Sequence, residues 1–190
     1  MRTLTFTFML IIFLSCLSMA QDFGDISDEE LEMTSFENDP DADAVVLFDK
    51  GTLRITNDFM LEISRHVRIK ILTEEGKENA DVKIKYWYED DFYDLEAASY
   101  SPEGEEFELD SDNIFEEESG KWNSVSFALP GVKVGSVIEY EYTIYSDYIT
   151  NLQPWYFQGK NYTLLSELNI TVPHGFTYNT LKSNFDLFGL

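Results

Sequence analysis

Residues 127–146, FALPGVKVGSVIEYEYTIYS, decide the fold. Two turn signals, Pro130-Gly131 and Val134-Gly135, lead into ten residues that alternate without a break. Ile138, Tyr140, Tyr142 and Ile144 point one way; Glu139, Glu141 and Thr143 point the other. Successive side chains of a strand face opposite sides, so this alternation marks a strand with one buried and one wet face. The reading makes 136–146 a central strand whose tyrosines pack inward while its glutamates face water.

The same period governs the chain from Ala44 onward. In RHVRIKIL (65–72), Val67, Ile69 and Ile71 oppose His66, Arg68 and Lys70. In NADVKIKYWYE (79–89), Ala80, Val82, Ile84, Tyr86 and Tyr88 share a face opposite Asp81, Lys83 and Lys85. Between them TEEGKEN (73–79) reads as a glycine-centred hairpin loop. Further turn signals fall at Asp49-Lys50-Gly51, Ser101-Pro102-Glu103-Gly104 and Pro173-His174-Gly175. Strands are therefore predicted near 45–48, 53–56, 65–72, 80–88, 95–100, 105–109, 122–129, 136–146 and 166–172. Short, evenly spaced, half-buried strands imply an all-β sandwich or barrel. DNIFEEESG (112–120) reads as one helical turn or an acidic loop.

Ahead of the strands stand two different segments. Residues 1–20 carry a basic start at Arg2, an apolar stretch from Phe6 to Leu17, and small residues at Ser18 and Ala20. That pattern predicts a cleaved signal peptide and an exported chain, periplasmic or extracellular. The stretch is shorter than the ~20 apolar residues of a membrane span. Ser15-Cys16 offers the alternative of lipoprotein anchoring through Cys16. Residues 21–43 form an acidic leader, in which Ser27 and Glu30 have capping-box spacing for a short helix, with a flexible leader as the alternative. The β-domain then runs over 44–190. Its last residues, NFDLFGL, remain apolar where a domain end is normally polar, and read as an interruption.

Composition excludes several chemistries. Cys16 is the single cysteine, so cleavage after Ala20 rules out disulfides, a thiolate nucleophile and thiolate metal sites in 21–190. Loss of Arg2 leaves 12 basic against 36 acidic side chains, a net charge of −24. Such a field repels phosphate backbones, and no nucleic-acid partner is expected. His66 and His174 lack ligand spacing and read as surface residues. Asp39, Asp41 and Asp43 begin like a calcium loop, but Ala44 stands at its sixth position and Lys50 at its twelfth. No metal, cofactor or catalytic residue is expected, and the chain is read as not an enzyme. The candidate contact residues are Trp155, Tyr156 and Phe157, which cannot all face inward on a strand. They serve either as glycan or peptide contacts or, behind a bulge at Pro154, as a cap on the sandwich's open end.

Five stretches in order carry a family resemblance: ISDEELEM with DPDADAVVLFDKG, RHVRIKILTEEGKENADVKI, FALPGVKVGSVIEYEYTI, PWYFQ and ITVPHGFTY. Over about residues 26–180 the chain resembles the domain of unknown function 3857. The resemblance implies an immunoglobulin-like β-sandwich, N-terminal to a transglutaminase-like domain in an exported bacterial protein. The catalytic Cys-His-Asp set belongs to that following domain, and no position here matches it. The function expected is a non-catalytic module that braces its neighbour or holds the neighbour's substrate. The alternative is a stand-alone glycan- or peptide-binding module using aromatics near Trp155.

Overall fold

The computed structural model describes residues 22–150, 152 and 154–175. The expected signal peptide with Cys16 and the apolar C-terminal residues 184–190 lie outside the described residues. Nine strands form two sheets within them, an all-β sandwich. In chain order they are β1 (Ala44–Ile55), β2 (Leu61–Ile71), β3 (Asp81–Trp87), β4 (Asp91–Tyr100), β5 (Glu106–Glu108), β6 (Ile114–Ser119), β7 (Trp122–Ala128), β8 (Val137–Ser146) and β9 (Tyr162–Thr171). The larger sheet has the order β5-β4-β8-β2-β1-β9, the smaller β3-β7-β6. The opening strand, β8, is central as expected, antiparallel to both β2 and β4.

Between the sheets lies the main core. Val67, Ile69 and Ile71 of β2 and Ile138, Tyr142 and Ile144 of β8 meet Ile84 and Tyr86 of β3 and Val125 and Phe127 of β7. The apolar faces read from the sequence are the faces that pack. Removing them from water is the main favourable contribution to folding.

Three expected features differ. Asp49-Lys50-Gly51 is no turn, because β1 runs unbroken through it, its irregularity being a bulge between Val46 and Phe48. Gly51 is needed there for another reason: a Cβ would sit 2.5 Å from the Trp155 ring. Residues 73–79 do not close a hairpin either. A 3₁₀ helix, Glu75–Ala80, carries the chain from the large sheet to the small one. Crossing over lets the apolar faces of β2 and β3 cover each other, which neighbours in one sheet could not do. Gly76 permits the crossing, since a Cβ there would lie 2.1 Å from the Asp43 carbonyl oxygen. Finally, 114–119 is neither helix nor loop but strand β6, paired with β7 through the two-residue turn Gly120-Lys121. Gly120 has φ +67°, as a primed hairpin turn requires at its first central residue.

The leader is part of the fold. Helix α1 (Asp28–Glu32) begins at a complete capping box, with the Glu30 amide donating to Ser27 Oγ and the Ser27 amide to the Glu30 carboxylate. Phe23, Ile26, Leu31 and Met33 pack on Leu47, Ala98, Tyr100 and Val137, on the large sheet's outer face. This second, smaller core covers a surface that alternation alone assigns to water.

Candidate functional site

Under the leader lies a charged cluster. Arg68 and Glu139 are directly opposed on β2 and β8, and both side chains are 0 % exposed. Arg68 donates from Nη2 to Glu139 Oε1 at 2.7 Å and from Nε at 3.1 Å. His66 Nε2 is 2.6 Å from the same oxygen, and the Gly24 amide donates to Oε2 at 3.0 Å. Arg68 Nη1 reaches Glu30 and the Asp25 carbonyl, so the leader supplies its remaining acceptors. Lys70, also buried, donates its ammonium to the carbonyls of Leu31 and Gly135. Phe48 lies against this group, its ring 4.9 Å from the Arg68 guanidinium carbon and edge-on to His66 at 4.8 Å.

These contacts correct the expected wet face: Glu139, Arg68 and Lys70 are buried, and His66 is largely so. Pairing makes the burial tolerable, because the charges satisfy one another and the leader's backbone. Burial pushes the Glu139 carboxyl upward, but hydrogen bonds from His66 and Gly24 and the charge of Arg68 outweigh it and hold it below the usual range. Burial lowers the Lys70 ammonium to about 8. Further along this face, beside His66, an open depression of about 310 Å³ is lined by Lys50, Ser64, Asp94, Glu141 and Thr143. Burial raises Glu141 there, and Glu96, Glu139 and Asp94 reinforce the shift against His66. His66 is engaged at Nε2 by Glu139, while Nδ1 lies 3.7 Å from Glu141. The arrangement suits holding the leader in place. Among the described residues no group of three or more His, Cys, Asp or Glu side chains is arranged to hold a metal ion.

The aromatic candidates divide. Trp155 is half-buried: its ring covers Gly51, stacks against the Arg65 guanidinium at 5.1 Å, and its indole N–H donates to Ser166 Oγ at 3.1 Å. Arg65 itself is held in a bidentate pair with Asp49, at 2.8 and 2.7 Å. Tyr156 and Phe157 project outward, 74 % and 56 % exposed. Next to them β9 forms the sheet edge, parallel to β1, with Tyr162, Leu164, Leu165 and Ile170 exposed. A long apolar edge strand is a surface that ordinarily needs a cover. His174 is exposed, as its Pro-Gly turn implies.

Sequence reasoning expected that not all three aromatics face inward, without saying which, and missed the charged cluster. Its signal was present: β2 carries His66 and Arg68 where β8 carries Glu141 and Glu139, and the leader has apolar residues to cover them. Opposed unlike charges on neighbouring strands stabilise a sheet pair. Charge alone does not say whether such a pair is wet or dry.

Known proteins give two points of comparison. The crystal structure, at 2.00 Å, of a candidate protease from Parabacteroides distasonis ATCC 8503 is similar, with a TM-score of 0.58 at 12 % identity. The match covers 70 % of this chain and 29 % of that one, so the chain spans under a third of that protein's length. At this identity the likeness concerns the fold alone. A comparison with curated proteins finds no match. A family described as a domain of unknown function with a solved structure matches residues 57–186, from the β1–β2 hairpin onward. With the match spanning most of the chain, the chain belongs to this family, DUF3857.

Proposed function

We propose that the chain is a non-catalytic module that braces a neighbouring domain through its β9 edge. The observation that carries the reading is the apolar surface of β9, continuous with Tyr156 and Phe157. A free strand edge with several exposed large apolar side chains invites pairing or burial. The similar solved structure is much longer than this chain, which leaves room there for further domains. By its family resemblance, the neighbour here is a transglutaminase-like domain of an exported protein, and the module orients it or holds its substrate. Reading the gene beyond the Leu190 codon tests this. A frame that continues into a domain with Cys, His and Asp in that order supports the proposal. An immediate stop codon removes the neighbour and defeats it.

The second reading is a stand-alone module that binds glycan or peptide near Trp155. The exposure of Tyr156 and Phe157 favours it, although the Trp155 ring is already committed to Gly51 and Arg65. A glycan or peptide titration unaffected by Tyr156→Ala and Phe157→Ala together would eliminate it.

A further inference from the structure

The outer face of the small sheet forms a trough that neither reading uses. Strand registers place its outward side chains in three rows: Trp87, Trp122 and Ser119; Lys85, Ser124 and Glu117; Lys83, Ser126 and Phe115. The central strand contributes serines in two rows, while the edge strands contribute long side chains. Small residues between large ones make a floor between walls. The resulting open depression has a volume of about 490 Å³, with Lys83, Lys85, Glu117 and Trp122 among its lining residues.

We infer that this trough binds an acidic glycan, a uronate-bearing oligosaccharide, with a sugar ring against Trp122 and a carboxylate at Lys85. Trp122 closes one end, 43 % exposed and held edge-on against Trp87 at 5.5 Å. A partly exposed indole fixed by a neighbouring ring suits the flat C–H surface of a pyranose. The charge is unlike that of the rest of the chain. In a protein of formal charge −23, this face gathers Lys83, Lys85 and Lys121 against Glu117 and, at the Trp87 indole N–H, Glu89. Glu116 and Glu118 alternate to the opposite side of β6, where they act on Tyr86. Lys83 is tied to Glu117 at 2.9 Å, and Lys121 lies over the Trp87 ring. Lys85, whose charge also acts on Glu117, makes no hydrogen bond among the described residues, which leaves its ammonium donors for a carboxylate. A sheet face with a serine floor accepts a ring, whereas an extended peptide takes its main-chain bonds from a sheet edge.

Titrating the full chain with tetragalacturonate, followed by tryptophan fluorescence and calorimetry, tests the assignment, with cellotetraose as the neutral probe. Saturable binding of tetragalacturonate is expected, weakened about tenfold or more by Trp122→Ala and by Lys85→Ala. Lys85→Ala changes an exposed side chain and leaves the circular dichroism spectrum unaltered, so its loss of binding cannot be assigned to unfolding. Tyr156→Ala binds as the parent does, which separates this trough from the surface near Trp155. No saturable binding, equal affinity for cellotetraose, or an unchanged affinity in Lys85→Ala would each overturn the proposal.

Discussion

Replacing Glu139 by Gln removes the charge at the centre of the buried cluster while keeping the side chain's shape. The native carboxylate accepts four hydrogen bonds, from Gly24, from His66 and twice from Arg68. Glutamine has a single acceptor oxygen, so whichever way the amide is turned its NH₂ faces a donor: the Gly24 amide on one side, or Arg68 and His66 on the other. Arg68 stays buried with Glu30 as its remaining carboxylate partner. Breaking a buried ion pair by altering one partner costs roughly 3–5 kcal/mol. Because one acceptor survives, a loss of about 3 kcal/mol is expected, out of the ~5–15 kcal/mol typical of a domain. Urea unfolding followed by tryptophan fluorescence measures it, with an unchanged slope showing that the folded state is the same. The loss depends on pH in a definite sense. Glu139 titrates lower folded than unfolded, so its stabilisation is complete above the ordinary glutamate value and vanishes as pH falls through the folded value. Parent and variant should therefore converge in acid. A loss under ~1 kcal/mol at neutral pH, the size of an exposed pair, would refute the claim that the cluster is dry.

Other outcomes follow from the same structure. Lys70→Met removes a cation whose folded value is about 8, while the unfolded chain holds that proton to an ordinary value near 10.5. Stability of the parent relative to Lys70→Met should thus rise between pH 8 and 10.5, and a flat difference in paired denaturant titrations would count against burial of the ammonium. Gly76→Ala places a methyl group against the Asp43 carbonyl and should cost roughly 1–3 kcal/mol of stability, typical of backbone strain, read as a lower urea midpoint. Gly51→Ala should push the Trp155 ring off β1, read as a red-shifted emission that is absent when Trp155 is also changed to Phe. Ile138→Asp puts an unpaired charge into the main core and should abolish cooperative unfolding, in contrast to the partial loss for Glu139→Gln.

How far the sequence reaches is shown by the two faces of β8. Its apolar face was legible, because Ile138, Tyr142 and Ile144 are buried for the reason their spacing suggests. The other face was not, because the burial of Glu139 depends on the leader folding back over the sheet, a contact spanning 115 residues between Gly24 and Glu139. Local alternation cannot encode such a cover. The path between strands was hidden for a similar reason. TEEGKEN has the composition of a hairpin loop, and only the need of β2 and β3 to bury facing surfaces sends it across the sandwich. Strand β6 escaped notice since EEES lacks β-branched residues, although the Gly120-Lys121 turn before Trp122 was a usable signal. At the candidate docking surface, three aromatics in a row implied that not all face inward, while which of them turns in, Trp155, depended on the glycine at position 51 beneath it.

Hydrogen exchange along β9 bears most directly on the bracing role. Amides of Tyr162–Thr171 would be followed in the natural gene product and in the chain ending at Leu190, with the central strand β8 as an internal reference. The bracing account predicts slower exchange on β9 in the natural product and unchanged exchange on β8. Equal exchange on β9 in the two proteins would mean that nothing covers this edge, and the account would be wrong.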